Sequence, residues 1–180
     1  MSAETGIDLF IAGIGGQGAL TVGNVLATAA ANQGLYTTWL PIYGVEKRGG
    51  EATCTVLLSR SPIESPVVGQ PSTLVLLHSK MLPYVERVRP KGRLILNTSL
   101  IDPSEVGRDD VEIISVPANE IAAGLGSEQA ANVVLLGLLV RLSGILSLDS
   151  VREVLESKQK DERIKEINNK ALQAGYEFVG

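Results

Sequence analysis

Cysteine is almost missing: Cys54 is the only one in 180 residues. That excludes an internal disulfide, and any iron–sulfur cluster or Cys-rich zinc site held by this chain alone. Aromatic residues make up 4% of the sequence, with Trp39 the single tryptophan, and 16 basic residues stand against 20 acidic ones. Neither a stacking platform nor a basic surface is available, so no nucleic acid partner is expected. Histidine occurs once, at position 78, without a nearby acid or cysteine. No Ser/His/Asp set, paired-carboxylate signature or metal-ligand spacing is present, so the chain lacks the parts for chemistry of its own, and no metal site is expected. The N-terminal MSAETGID has no basic region or small-residue cleavage pattern, so no secretory signal is expected. Residues 9–45 carry no charge, yet Gly, Gln, Asn and Thr interrupt them and no run of about 18 apolar residues occurs. The expectation is a cytoplasmic protein with no membrane segment, whose uncharged part is interior or interface.

What is there is glycine in a pattern. Residues 8–18 read DLFIAGIGGQG, an apolar run followed by Gly13, Gly15 and Gly18 in G-x-G-x-x-G spacing, then an Ala-rich segment that can be helix. A strand feeding a tight glycine turn and a helix N-terminus offers free N–H groups to an anion, which points to a phosphate-bearing ligand. The plain alternative is a strand-to-helix turn that merely needs glycine.

In order along the chain, Val22, Val25, Leu26, Ala29 and Ala30 make a helical stripe that Gly34 closes. Residues 36–40 read as a second strand ended by Pro41, giving a β-α-β unit of parallel strands. In a nicotinamide-binding unit an acid about 20 residues past the glycines holds the ribose. The corresponding stretch here is TTWLPIYG, and the first carboxylate is Glu46. The missing clamp argues against NAD or FAD and leaves phosphate binding open.

Residues 42–50 read as loop and 53–58 as strand. Residues 59–73 form a long connection with Pro62, Pro66 and Pro71, of a length that often serves function or partners. Residues 74–77, 93–96 and 111–116 read as further strands and 80–88 as a short helix. The remainder is helical: 118–124, a buried helix through 133–140 that Ser127 can cap, a segment capped by Ser147 or Asp149, and an amphipathic helix with Ile164, Ile167, Ala171 and Leu172 that ends before Gly175. No repeat or boundary appears, so residues 1–180 are expected to form one domain.

Three constellations are candidate sites. The first is Gly13, Gly15, Gly16, Gln17 and Gly18, where the Gln17 amide can orient a phosphate or cap the turn. The second is YGVEKRGG, in which Gly49 and Gly50 present backbone N–H groups and Arg48 a bidentate fork. Glu46 can pair there with Arg48 or Lys47 as a structural link. Parallel strand order would set this loop beside the first. The third is Asn132, a polar residue entering a greasy helix, whose amide needs a partner; a core hydrogen bond to a loop satisfies it. His78 reads as a satisfied structural histidine and Cys54 as inert core.

The stretches IAGIGGQGALTVGNVLATAA and IYGVEKRGGEATCTVLLS, then Ser65-Pro66, Asn132 with Leu136-Gly137, and Asn168, Lys170, Ala171 and Gly175, resemble the gamma subunit of 2-oxoacid:ferredoxin oxidoreductases. The resemblance covers almost the whole chain, and the two glycine motifs in this order are far more specific than either alone. One departure is Pro71-Ser72, where that family often has Pro-Asp. The resemblance implies an α/β fold: a Rossmann-like three-layer domain with a mostly parallel sheet and a helical C-terminal third. It implies alpha, beta and ferredoxin-like delta subunits as partners, which hold thiamine diphosphate, magnesium and iron–sulfur clusters, with ferredoxin as the electron acceptor. It also implies a site at Gly13, Gly15, Gly16, Gln17, Gly18, Tyr43, Glu46, Arg48, Gly49, Gly50 and Asn132. These residues would hold coenzyme A phosphates or shape subunit contacts. A scaffold without a ligand, and a free-standing nucleotide-binding oxidoreductase, are the alternatives.

Overall fold

The computed structural model describes residues 6–44 and 49–179. Its centre is β1 (Gly6–Ile14), whose residues are buried almost throughout, as a strand covered on both faces must be. The other strands are β2 (Tyr36–Tyr43), β3 (Glu51–Ser59), β4 (Thr73–Leu76), β5 (Arg93–Asn97) and β6 (Glu112–Val116), in a six-stranded sheet of order β2-β3-β1-β4-β5-β6. The β1–β4, β4–β5 and β5–β6 pairs are parallel.

The crossover from β1 to β2 does not produce neighbouring strands. β3 lies between them and pairs antiparallel with both. Burial explains the placement: Cys54, Val56, Leu57 and Leu58 on β3 are all buried, whereas every residue of β2 keeps some exposure. The more apolar strand takes the inner position. Strand β2 also runs on through Pro41 to Tyr43 instead of stopping at Pro41. Gly44 N–H donates to Glu51 O, so by alternation along the register the Pro41 nitrogen faces the open edge, where no ladder bond is lost.

Helix α1 (Ala19–Asn32) packs on one face of the sheet. It ends as the sequence suggests, with Gly34 at positive φ and its N–H and that of Leu35 donating to Ala31 O and Ala30 O. The same core takes in α2 (Ala118–Gly124), α3 (Ala131–Ser143), α4 (Leu148–Lys158) and α5 (Glu162–Glu177). The opposite face carries a smaller core of Phe10, Leu74, Leu76, Leu94, Met81 and Val85. Its lid, Ser79–Arg87, is a 3₁₀ helix rather than the α-helix the sequence suggests, with Pro83 inside it. His78 is structural there: its Nδ1 accepts from Lys80 N–H at 3.1 Å.

Two helix ends depart from expectation. Ser127 precedes a short 3₁₀ turn, Glu128–Ala130, without a side-chain cap bond, and α3 begins only at Ala131. Ser147 does cap α4, its Oγ accepting from Ser150 N–H at 3.1 Å. Helix α5 does not stop before Gly175 but includes it, because that glycine is where α5 crosses α3 against Val134.

Cys54 is fully buried, and burial pushes its thiol up to about 12. A thiol that ionises near 9.0 when unfolded and about 12 when folded contributes stability that is complete below pH 9.0. That contribution is lost as pH rises from 9.0 towards 12. Native protein is therefore expected to resist alkylation at pH 8 and to react only on unfolding. In denaturant titrations at pH 8 to 10.5, wild type should lose stability more steeply than Cys54→Ala.

Candidate functional site

The connection after β1 leads into α1 on one face, while that after β4 leads into the 3₁₀ helix on the other. The β1/β4 boundary is thus a switch point, and the carboxyl ends of the strands open there into a cleft. The cleft has a volume of about 600 Å³. Gly16, Gln17, Gly18 and Thr21 line it from the turn and α1, Leu77, Asn97 and Asn119 form its floor, and Glu128, Gln129 and Asn132 line it from the turn before α3 and the start of α3.

Gly16 and Gly18 both have positive φ. At Gly18 a side chain would also meet Asn132, whose Cγ lies 2.9 Å from the point a Cβ would take. Asn132 thus rests on the glycine turn. Among the described residues its amide has no hydrogen-bond partner, contrary to the loop bond expected from the sequence; as a residue in the first turn of α3 it reaches the cleft and not the core. Gly18 starts α1 with no side-chain cap and no acid in the first turn, so the helix offers free N–H groups.

Gln17 serves the turn. Its Oε1 accepts from Ile14 N–H at 2.9 Å and its Nε2 donates to Leu77 O at 3.2 Å, tying the loop to the end of β4. Of the two readings open in the sequence, capping uses both ends of the amide. Gly13 lies within β1, its Cα side packed against Gln17 Oε1 and Leu77 Cβ, and does not line the cleft.

The second glycine motif does come beside the first, though by an antiparallel hairpin rather than by parallel order. Gly15 N–H donates to Gly50 O at 2.8 Å, and Gly49 N lies close by. Tyr84 O–H braces the returning strand on Glu51 Oε2 at 2.7 Å, and that carboxylate raises the phenol's pKa. Tyr43 ends the edge strand, 68% exposed and outside the cleft lining. Glu46 and Arg48, with Val45 and Lys47, lie outside the described residues.

A polar relay on the floor escaped the sequence reading. Asn97 Nδ2 donates to Asn119 Oδ1 at 2.8 Å, and Asn119 Nδ2 to Glu128 Oε1 at 2.8 Å. Asn97 and Asn119 close the apolar runs LILN and VPAN, and the rule that parallel strands present ligands at their carboxyl ends would have found them. Glu128 is the only charged side chain on the lining among the described residues, so attraction for an anion there rests on backbone N–H groups at α1. Among the described residues no three His, Cys, Asp or Glu side chains come together, so they supply no ligand set for magnesium or a cluster. No helix among them is long and apolar enough to cross a membrane.

Comparison with known proteins agrees with this architecture. The chain is 38% identical over 176 residues to the ketoisovalerate oxidoreductase subunit VorA of Methanothermobacter marburgensis, covering 94% of this chain and 36% of that one. It thus spans about a third of the length of its VorA relatives. It is 31% identical over 179 residues to the 2-oxoglutarate synthase subunit KorC of the same organism, covering 96% of each. The crystal structure of the pyruvate oxidoreductase subunit PORC of Thermotoga maritima superposes with a TM-score of 0.80 at 28% identity, over 96% of each chain. The 2-oxoglutarate:ferredoxin oxidoreductase of Magnetococcus marinus shares the fold at TM-score 0.86 and 22% identity, over 96% of this chain and 30% of that one. A family model described as pyruvate ferredoxin/flavodoxin oxidoreductase matches residues 8–178. An α/β sheet with its cleft at the β1/β4 switch point is what the described residues build, and the chain belongs to the pyruvate ferredoxin/flavodoxin oxidoreductase family.

Proposed function

We propose that the chain is the gamma-type component of a cytoplasmic 2-oxoacid:ferredoxin oxidoreductase, and that its glycine cleft holds phosphate groups of coenzyme A. In this reading it works with alpha, beta and ferredoxin-like delta components. They hold thiamine diphosphate, magnesium and iron–sulfur clusters, and ferredoxin accepts the electrons. The observation that carries the reading is the uncapped α1 N-terminus beside Gly15–Gly50, where two glycine loops meet at the mouth of a cleft. Coenzyme A is the first ligand to test, since the Magnetococcus marinus enzyme was solved with it bound. Bound there, it would bring a thiol to accept an acyl group, while this chain's part is to hold and orient its phosphates.

The test uses the assembled complex. Arg48→Ala, which removes the fork next to Gly49, is expected to raise the coenzyme A concentration needed for half-maximal ferredoxin reduction about tenfold, with assembly unchanged by gel filtration. Unchanged coenzyme A dependence with unchanged assembly would sink the reading.

A scaffold role is the second reading, favoured by the open edge strand. Tyr36, Leu40 and Ile42, on one face of β2, are 49%, 40% and 60% exposed, and Tyr43 at its end is 68% exposed, an apolar and uncharged edge suited to another subunit. Under it, Arg48→Ala would disturb assembly and leave coenzyme A affinity alone.

A further inference from the structure

At the opposite pole of the sheet, where β1, β4, β5 and β6 begin, lies a smaller hollow of about 160 Å³. Arg89, Lys91 and Arg93 line it with Glu112, against a wall that includes Ser72 and Thr73. Three cations face one carboxylate there, on a chain of net charge −4. Glu112 is already engaged, its Oε2 accepting from Arg93 Nε–H at 3.1 Å. Among the described residues Arg89 and Lys91 form no ion pair.

The backbone holds these cations in place. Arg89, Pro90, Lys91 and Gly92 form a turn closed by Gly92 N–H donating to Arg89 O at 2.9 Å. Arg89 N–H donates to Pro71 O at 3.1 Å, Lys91 N–H to Asp110 O at 2.7 Å and Arg93 N–H to Ser72 O at 2.8 Å. Lys91 takes φ 60, the only non-glycine positive φ among the described residues. At the third position of a Pro-led turn, glycine would adopt that geometry without strain. A lysine held there against its preference, at a hollow that Arg89 and Arg93 also line, goes beyond what the turn alone needs.

We infer that the Arg89–Lys91–Arg93 hollow binds a small tetrahedral oxyanion of the phosphate class. The volume suits one such anion and is too small for a nucleotide, whose pockets run from roughly 300 Å³ upward. Arg89 and Lys91, which form no ion pair among the described residues, and the donors that Arg93 keeps beyond its Glu112 bond supply charge-assisted hydrogen bonds beside a fixed turn. Ser72 secures the wall, its Oγ–H donating to Asp8 O at 2.9 Å and its N–H to the Asp8 carboxylate. The site is independent of the glycine cleft, which opens at the other ends of the same strands.

The full chain titrated with inorganic phosphate, at ionic strength held constant with sodium chloride and followed by ³¹P line broadening, is expected to show saturable binding. Arg89→Gln and Lys91→Gly should each weaken it about tenfold, and Arg48→Ala should leave it unchanged. Lys91→Gly relieves the backbone while removing the charge, so its denaturation midpoint should be equal or higher, and weaker binding cannot then be ascribed to misfolding. Binding insensitive to Arg89→Gln and Lys91→Gly, binding that Arg48→Ala abolishes, or equal displacement by chloride would each overturn the inference.

Discussion

Replacing Gly175 by alanine is expected to lower the urea unfolding midpoint by the equivalent of about 3 kcal/mol, the upper end of what overpacking a core usually costs. The reason is a helix crossing with no room for a methyl. A Cβ on Gly175 would stand 2.7 Å from the carbonyl carbon of Val134 on α3, and closer still to its oxygen. The mirror position is as tight: a Cβ on Gly137 would stand 2.7 Å from Tyr176 N and 3.0 Å from Leu172 C on α5. These neighbours are backbone atoms of two packed helices, so neither can swing aside as a side-chain tip would. Each glycine costs its helix about 1 kcal/mol of propensity. That is offset by bringing α5 against α3, whose residues from Val133 to Val140 are all buried. Gly137→Ala should cost a similar amount, and the double variant less than the sum, because relief of one clash separates the helices for both. Gly124→Ala, where a Cβ would meet nothing within 4 Å, is the control and should be neutral or slightly stabilising.

That crossing shows where sequence reading stops. Both glycines sit in apolar or amphipathic helical stretches, and a period-3.6 pattern says which face is buried but not how near the next backbone comes. Gly175 consequently read as a helix end, since glycine after an apolar stripe usually is one. At Gly34 the same rule gave the right answer. The strands of the sheet were legible because four of the six hold a short apolar run, Leu9–Ala12, Val56–Leu58, Leu74–Leu76 and Leu94–Leu96, between glycine, proline and polar breaks. Their order was less so. Strand β3 enters between β1 and β2 because its residues bury better, a comparison between two strands that local pattern does not make. The proximity of the two glycine motifs was foreseen and is real in Gly15–Gly50, yet it arises from that antiparallel insertion. Insertion of β3 also fills the place beside β1 where a dinucleotide fold carries its second parallel strand and ribose acid. The absent carboxylate in TTWLPIYG and the sheet order are therefore two views of one departure.

At the turn itself, glycine is needed for two separable reasons, and a pair of variants tells them apart. Gly16→Ala meets nothing within 4 Å and bears only the strain of φ +100, so it should cost about 1–2 kcal/mol and keep the cleft open. Gly18→Ala adds a collision. Its φ is +79, and the new methyl would lie 2.9 Å from Asn132 Cγ. Because Asn132 lies in the first turn of α3 and its amide is free among the described residues, the side chain can be pushed only into the cleft or away from the turn. Either displacement alters the side of the cleft facing the α1 N-terminus, so Gly18→Ala should lose more stability than Gly16→Ala, by about 1–2 kcal/mol. In the assembled complex it should also weaken coenzyme A about tenfold or more, whereas Gly16→Ala should shift it much less. Asn132→Ala placed on Gly18→Ala decides the cause. If the collision is what matters, the second substitution restores the collision's share, about half of the lost stability, and leaves the backbone strain alone. If stability does not return, the turn's φ requirement carries the whole effect, and Asn132 has no part in positioning the loop.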